Sequence, residues 1–360
     1  YVLDADGRPE IHKIAWLVYS DVALLDLPFN RPLQNYLSGI APFWIERCDF
    51  DGVRIDASQT VDRPFLKAIK NRIHRVKPDA IVLGETLCAL EESQDIPVDM
   101  VYALLVDFHR DLNSATPLID FVEETNRSFA EGTVALAYFE NHDSPRATNV
   151  WRERYGDHLA ADPGLAAFWS EVTGAAKPES WMALLKNLQA SLINATIGNG
   201  LGTRTVCGTE WGTTWGAEVR TDFENPTIVA EDHRGLPPAI YLQNAYRSLF
   251  RLTRSSSVWS DGVLKFLRPD VVGDPDDRLL VYTKSQGDEM TLFLHNLDHQ
   301  WIRTATVDLE SLVRQDVVRV FDTHAHSISP VNSEDCQLIP SGGIQVQLRP
   351  LQSLALEILR

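Results

Sequence analysis

Four residues capable of acid–base and electrostatic chemistry end short apolar runs in this 360-residue chain: Arg54, Asp56, Glu85 and Asp143. In Val53-Arg54-Ile55-Asp56, side chains alternate, so Val53 and Ile55 point one way while Arg54 and Asp56 share the other face. An isolated Arg-x-Asp step is most simply a surface salt bridge at a strand end. The other two acids argue against that reading. Glu85 closes "IVLGE" and Asp143 closes "AYFENHD", next to His142. Glu85 lies about one strand–helix unit beyond Asp56, and Asp143 about two units beyond Glu85. Glycosidic-bond cleavage needs one carboxylate to attack or stabilise an electron-poor carbon and one protonated carboxyl to give the leaving oxygen its proton. Crowded carboxyls raise the pKa of one of their number, and Arg54 is expected to keep Asp56 ionised.

The elements that must position these residues alternate in type. Strands are expected at 51–57, 80–85, 99–105, 133–140 and 202–210, and the first helix, capped near Asn30, contains "RPLQNYLSGIAPFWIERC". Further helices are "RPFLKAIKNRIHRVK", "LIDFVEETNRSFA", "ESWMALLKNLQASLINATI" and "PAIYLQNAYRSLFRLTRSS". This α/β order predicts parallel strands, with the chemistry at their carboxyl ends. After about residue 258 the texture becomes period-two, as in "RLLVYTKS", "MTLFLHNL", "GIQVQLRP" and "SLALEIL", the pattern of an antiparallel β-sandwich.

"DGVRID", "VLGE" and "FENHD", in this order, resemble the second, third and fourth sequence signatures of the α-amylase family of retaining glycoside hydrolases and transglycosylases. The resemblance covers roughly residues 15–260. It implies a (β/α)8 TIM barrel, of which this chain holds strands four to eight, followed by the sandwich. The implied domains are 1–30, the tail of an insertion between the third strand and its helix; 31–258, the carboxyl-terminal part of the barrel; and 259–360, the sandwich. By the same resemblance Asp56 is the nucleophile, Glu85 the general acid/base and Asp143 the carboxylate that stabilises the transition state. Arg54 and His142 would position the nucleophile and the sugar. Trp211 and Trp215, in a segment resembling the family's Gly-x-Glu-x-Gly loop, either stack on sugar faces or pack under their own loop.

The implied substrate is an α-glucan or maltooligosaccharide, handled through a covalent glycosyl-enzyme; the alternative is a catalytically silent member that binds glucan or a protein. Neighbouring strand ends put Asp56 and Glu85 about 5–5.5 Å apart, the spacing of a retaining enzyme. The chain departs from the family at Ala57-Ser58-Gln59-Thr60, where many members have Ala-Ala-Lys-His. With Thr60 in place of a frequent calcium ligand, neither calcium nor another cofactor is expected there. The family's first signature is missing, and five strands do not close a barrel. An upstream segment is therefore expected to complete it, with residue 1 not the native start.

The formal charge of −17 disfavours nucleic acid as a partner, and no apolar run of about 18 residues predicts a membrane span. Four scattered cysteines are expected to be buried free thiols, which favours a reducing, cytoplasmic setting. The acidic run "EESQDIPVD" is expected to be a solvated face.

Overall fold

The computed structural model describes residues 11–14, 17–23, 25–27, 29–85, 96–102, 112–128, 133–136, 138–140, 145–175, 177–197, 237–308, 317–324, 328–329, 336–338 and 343–359. His142, Asp143, Trp211, Trp215 and the strand expected at 202–210 lie outside the described residues. The chain divides into two compact units, Tyr1–Leu104 with Thr125–Ala135, and Leu105–Glu124 with Leu136–Arg360.

The first unit begins with an antiparallel hairpin, β1 (Ile11–Ile14) and β2 (Leu17–Ala23). Helix α1 (Arg31–Cys48) follows, started by Asn30, whose Oδ1 accepts the Leu33 N–H at 3.0 Å. Then come β3 (Gly52–Ile55), α2 (Arg63–Val76), β4 (Ile81–Glu85), β5 (Met100–Tyr102), α3 (Ala115–Ser128), whose first turns belong to the second unit, and β6 (Val134–Ala135). Asp62 caps α2 by accepting the Phe65 N–H at 3.1 Å. The four strands form a parallel sheet in the order β3-β4-β5-β6, as the alternation of strands and helices predicts. Ile45 of α1, Leu66 and Ile73 of α2, and Val82 and Val101 of the sheet pack into one core.

One expectation fails in this unit. Cys48 is a free thiol but exposed, at the last position of α1. Of the acidic run, residues 91–95 lie outside the described residues, and Asp99 at its end is half-buried. It pairs with Lys70 at 2.6 Å and accepts the Val82 N–H at 2.8 Å, which ties α2 to the start of β4. Helix α1 also carries an uncovered apolar stripe. Tyr36, Ile40, Phe43 and Trp44 are 70%, 41%, 51% and 46% exposed, at spacings that place them on one side of the helix.

In the second unit α4 (Ala147–Ala161), α5 (Pro163–Thr173), α6 (Pro178–Ile197), α7 (Pro237–Ser255) and α8 (Ser257–Asp261) precede β7 (Val263–Leu267) and the short α9 (Pro269–Val272). The remaining strands are β8 (Leu279–Gln286), β9 (Glu289–Asn296), β10 (Arg303–Val307), β11 (Val317–Asp322), β12 (Ile328–Ser329), β13 (Cys336–Leu338), β14 (Ile344–Leu348) and β15 (Ser353–Leu359). They make antiparallel sheets of order β12-β11-β15-β9-β8-β7 and β10-β14-β13. Period two sorts the side chains. Leu279, Val281, Leu292 and Leu356 meet Val307, Ile344 and Val346 of the smaller sheet, while Leu280, Tyr282 and Phe293 meet Trp259, Leu192 and Leu249 of the helices. The larger sheet is thus buried on both faces, which explains why the first six residues of β8 are all buried, Thr283 and Lys284 included. Helix α6 is buried almost all round; its Thr196 bonds the Tyr282 hydroxyl at 2.5 Å, and Gln189 donates to the Asn296 carbonyl at 2.9 Å.

Candidate active site

Parallel pairing sets Arg54 opposite Leu83 and Ile55 opposite Gly84, so β3 and β4 run out side by side and deliver Asp56 and Glu85 to one edge of the sheet. Arg54 links them. Its Nη1 lies 2.8 Å from Asp56 Oδ1 and its Nη2 2.5 Å from Glu85 Oε2. The guanidinium fork suits such bridging because its donors are planar and fixed. After Asp56 the backbone turns left-handed at Ala57, with φ 43°, and enters a single 3-10 turn, Ser58–Thr60. From that turn the Ala57 N–H donates to Glu85 Oε2 at 3.2 Å, and the Ser58 hydroxyl donates to the Glu85 carbonyl at 2.7 Å.

The two carboxyls are unequal. The Glu85 side chain is 5% exposed and that of Asp56 76%. Hydrogen bonding to Glu85 pushes the Asp56 pKa up, burial and the Glu85 charge add to this, and Arg54 pulls the other way. Arg54 acts on Asp56 in the expected direction, and the neighbouring carboxyl opposes it.

The structure brings together Arg54, Asp56 and Glu85, as the sequence predicts. Ala57, Ser58 and Gly84 were missed. Gly84 offered the one signal in the sequence, a glycine inside an apolar strand; a Cβ there would stand 2.7 Å from Ser58 Oγ. Glu140, from the "FENHD" stretch in the second unit, is buried and accepts the Ala147 N–H at 2.8 Å and Arg146 Nη1 at 3.3 Å, a structural role at the start of α4. Among the described residues no group of three or more His, Cys, Asp or Glu is arranged to hold a metal ion.

No protein-family model matches the chain. The intracellular maltogenic amylase of Bacillus subtilis is 41% identical over 56 residues, 16% of this chain and 10% of that protein. A cyclomaltodextrinase of Geobacillus thermopakistaniensis is 34% identical over 127 residues, 33% of this chain and 22% of that one. The chain thus spans less than a quarter of the length of these curated relatives. Among solved structures, an Anoxybacillus α-amylase superposes with TM-score 0.68 at 15% identity, covering 94% of this chain and 65% of its own. A noncanonic maltogenic α-amylase from Thermotoga neapolitana gives 0.67 at 17% identity, covering 100% and 72%. The chain thus shares the fold of α-amylases, and a short segment of its sequence is similar to maltogenic amylases and cyclomaltodextrinases.

Proposed function

We propose that this chain carries the nucleophile and the acid/base of a retaining glycoside hydrolase or transglycosylase acting on α-linked glucosides. The observation that carries the reading is the Arg54 bridge between Asp56 and Glu85 at neighbouring parallel strand ends. In the first step an Asp56 oxygen attacks the anomeric carbon as the glycosidic C–O bond breaks, and Glu85 gives its proton to the leaving oxygen. In the second, water or a sugar hydroxyl gives a proton to Glu85 as its oxygen attacks the same carbon, and the Asp56 carboxylate leaves. The exposed Asp56 suits attack on an incoming sugar, and Glu85 at the neighbouring strand end is placed to exchange a proton with the leaving oxygen. The sequence resemblance adds Asp143 and His142 as proposed sugar-binding residues, and Trp211 and Trp215 as residues that would either stack on sugar or pack under their own loop; all four lie outside the described residues.

Solved neighbours include an α-amylase from Geobacillus thermoleovorans complexed with acarbose and AmyP in complex with maltose, which supports a maltooligosaccharide as the substrate to try first. The reading takes the parallel sheet as one arc of an eight-stranded barrel over residues 31–258, completed by an upstream segment, with the sandwich at 259–360.

In the intact protein, Asp56→Asn and Glu85→Gln should each lower turnover of maltooligosaccharides by about 1,000-fold or more. Proton NMR of the first-formed product should show the α-anomer. A β-anomer appearing first, or near-normal turnover in either variant, rejects the reading.

A further inference from the structure

We infer that Ser58 is a positioning residue for the Glu85 carboxyl, an inference that rests on the acid/base role proposed above for Glu85. The pairing of β3 with β4 stops at Ile55 and Gly84. Beyond it, the turn after Asp56 grips Glu85 at two points. Ser58, which is 0% exposed, donates its hydroxyl proton to the Glu85 carbonyl at 2.7 Å, and the preceding residue donates its backbone N–H to Glu85 Oε2 at 3.2 Å.

Consecutive residues therefore fix the main chain and the carboxylate of one acid, from a turn that begins at the other acid. Gly84 makes this approach feasible, since any side chain there would meet Ser58 Oγ. The left-handed backbone at Ala57 aims its N–H across to the neighbouring strand instead of along its own. A hydroxyl with no solvent contact, spent on the backbone of the acid/base residue, ties the separation of the two carboxyls to the turn. Retention depends on that separation, and an acid misplaced by a fraction of an ångström donates its proton poorly.

The test compares substrates that do and do not need the acid. Ser58→Ala should lower kcat on maltooligosaccharides by about 10–100-fold, a part of what a positioned acid supplies, with KM within about twofold. On α-glucosyl fluoride, whose leaving group needs no proton, pre-steady-state glycosylation should fall by less than about threefold. In the Glu85→Gln background, Ser58→Ala should add almost nothing, because its effect runs through the missing acid. Equal losses on both substrates, an unchanged kcat, or full additivity with Glu85→Gln would each overturn the inference. Should Ser58→Ala not fold, Ser58→Cys keeps the volume with a weaker donor and is read the same way. An active Glu85→Gln rejects the acid/base assignment itself; an inactive Glu85→Gln beside a Ser58→Ala indistinguishable from the parent rejects only the positioning role.

Discussion

Asp99 braces the sheet on which the candidate site is built. Its carboxylate meets Lys70 Nζ at 2.6 Å, His74 Nε2 at 3.1 Å and the Val82 N–H at 2.8 Å. Burial by itself would raise its pKa, but the Lys70 hydrogen bond, the Val82 N–H and the charges of Lys70 and His74 outweigh it, leaving the group below the usual carboxylate range. A carboxylate that is more acidic folded than unfolded contributes stability at neutral pH. That contribution is lost as pH falls below about 4 and through the lower folded value. Asp99→Asn should therefore cost about 1–3 kcal/mol at pH 7 and flatten the decline of melting temperature between pH 5 and pH 2. Calorimetry over that range is the check, and a variant whose curve runs parallel to the parent's would remove Asp99 from the account.

Helix α3 takes its start from a distant residue. Asp277, itself left-handed at φ 56°, accepts the Thr116 N–H at 3.0 Å and its hydroxyl at 2.9 Å, and its backbone carbonyl accepts the Ala115 N–H at 3.0 Å. Negative charge at a helix amino end is favourable, so Asp277→Ala should destabilise the second unit by about 1–2 kcal/mol. Chemical denaturation followed by far-UV circular dichroism measures this, and a midpoint unchanged from the parent would deny the cap any weight. The expected strands and helices were found wherever the apolar period was strong, as at α2 and through β8, β9 and β15. Helices α4 and α5 went unread. In α4 only Ala147, Thr148, Trp151, Tyr155 and Leu159 are buried, a thin stripe among Arg152, Glu153, Arg154 and Asp157. The Asp277 cap could not be read either, because its partners lie 161 residues away. The same holds in the site: Asp56 and Glu85 were visible as acids at strand ends, whereas the bond from Ser58 to Glu85 exists only once the register of β3 on β4 is fixed.

At the scale of the molecule, the solved relatives are longer than this chain, which covers 65% of the Anoxybacillus enzyme. If an upstream segment completes a barrel, its apolar side chains have a place to settle on the stripe of α1. That stripe has an optical consequence. Trp44 is 46% exposed, whereas Trp151, Trp169 and Trp259 are sealed at 1%, 0% and 1%. Subtracting the fluorescence of a Trp44→Phe variant isolates the light from this one indole. For residues 1–360 alone it should emit at the red, water-like edge and be quenched readily by acrylamide. A blue, quencher-resistant difference spectrum would show that α1 is already covered. In a longer polypeptide with a packed neighbour, the same indole should turn blue and dim its response to quencher, so its colour reports whether the face has found its cover.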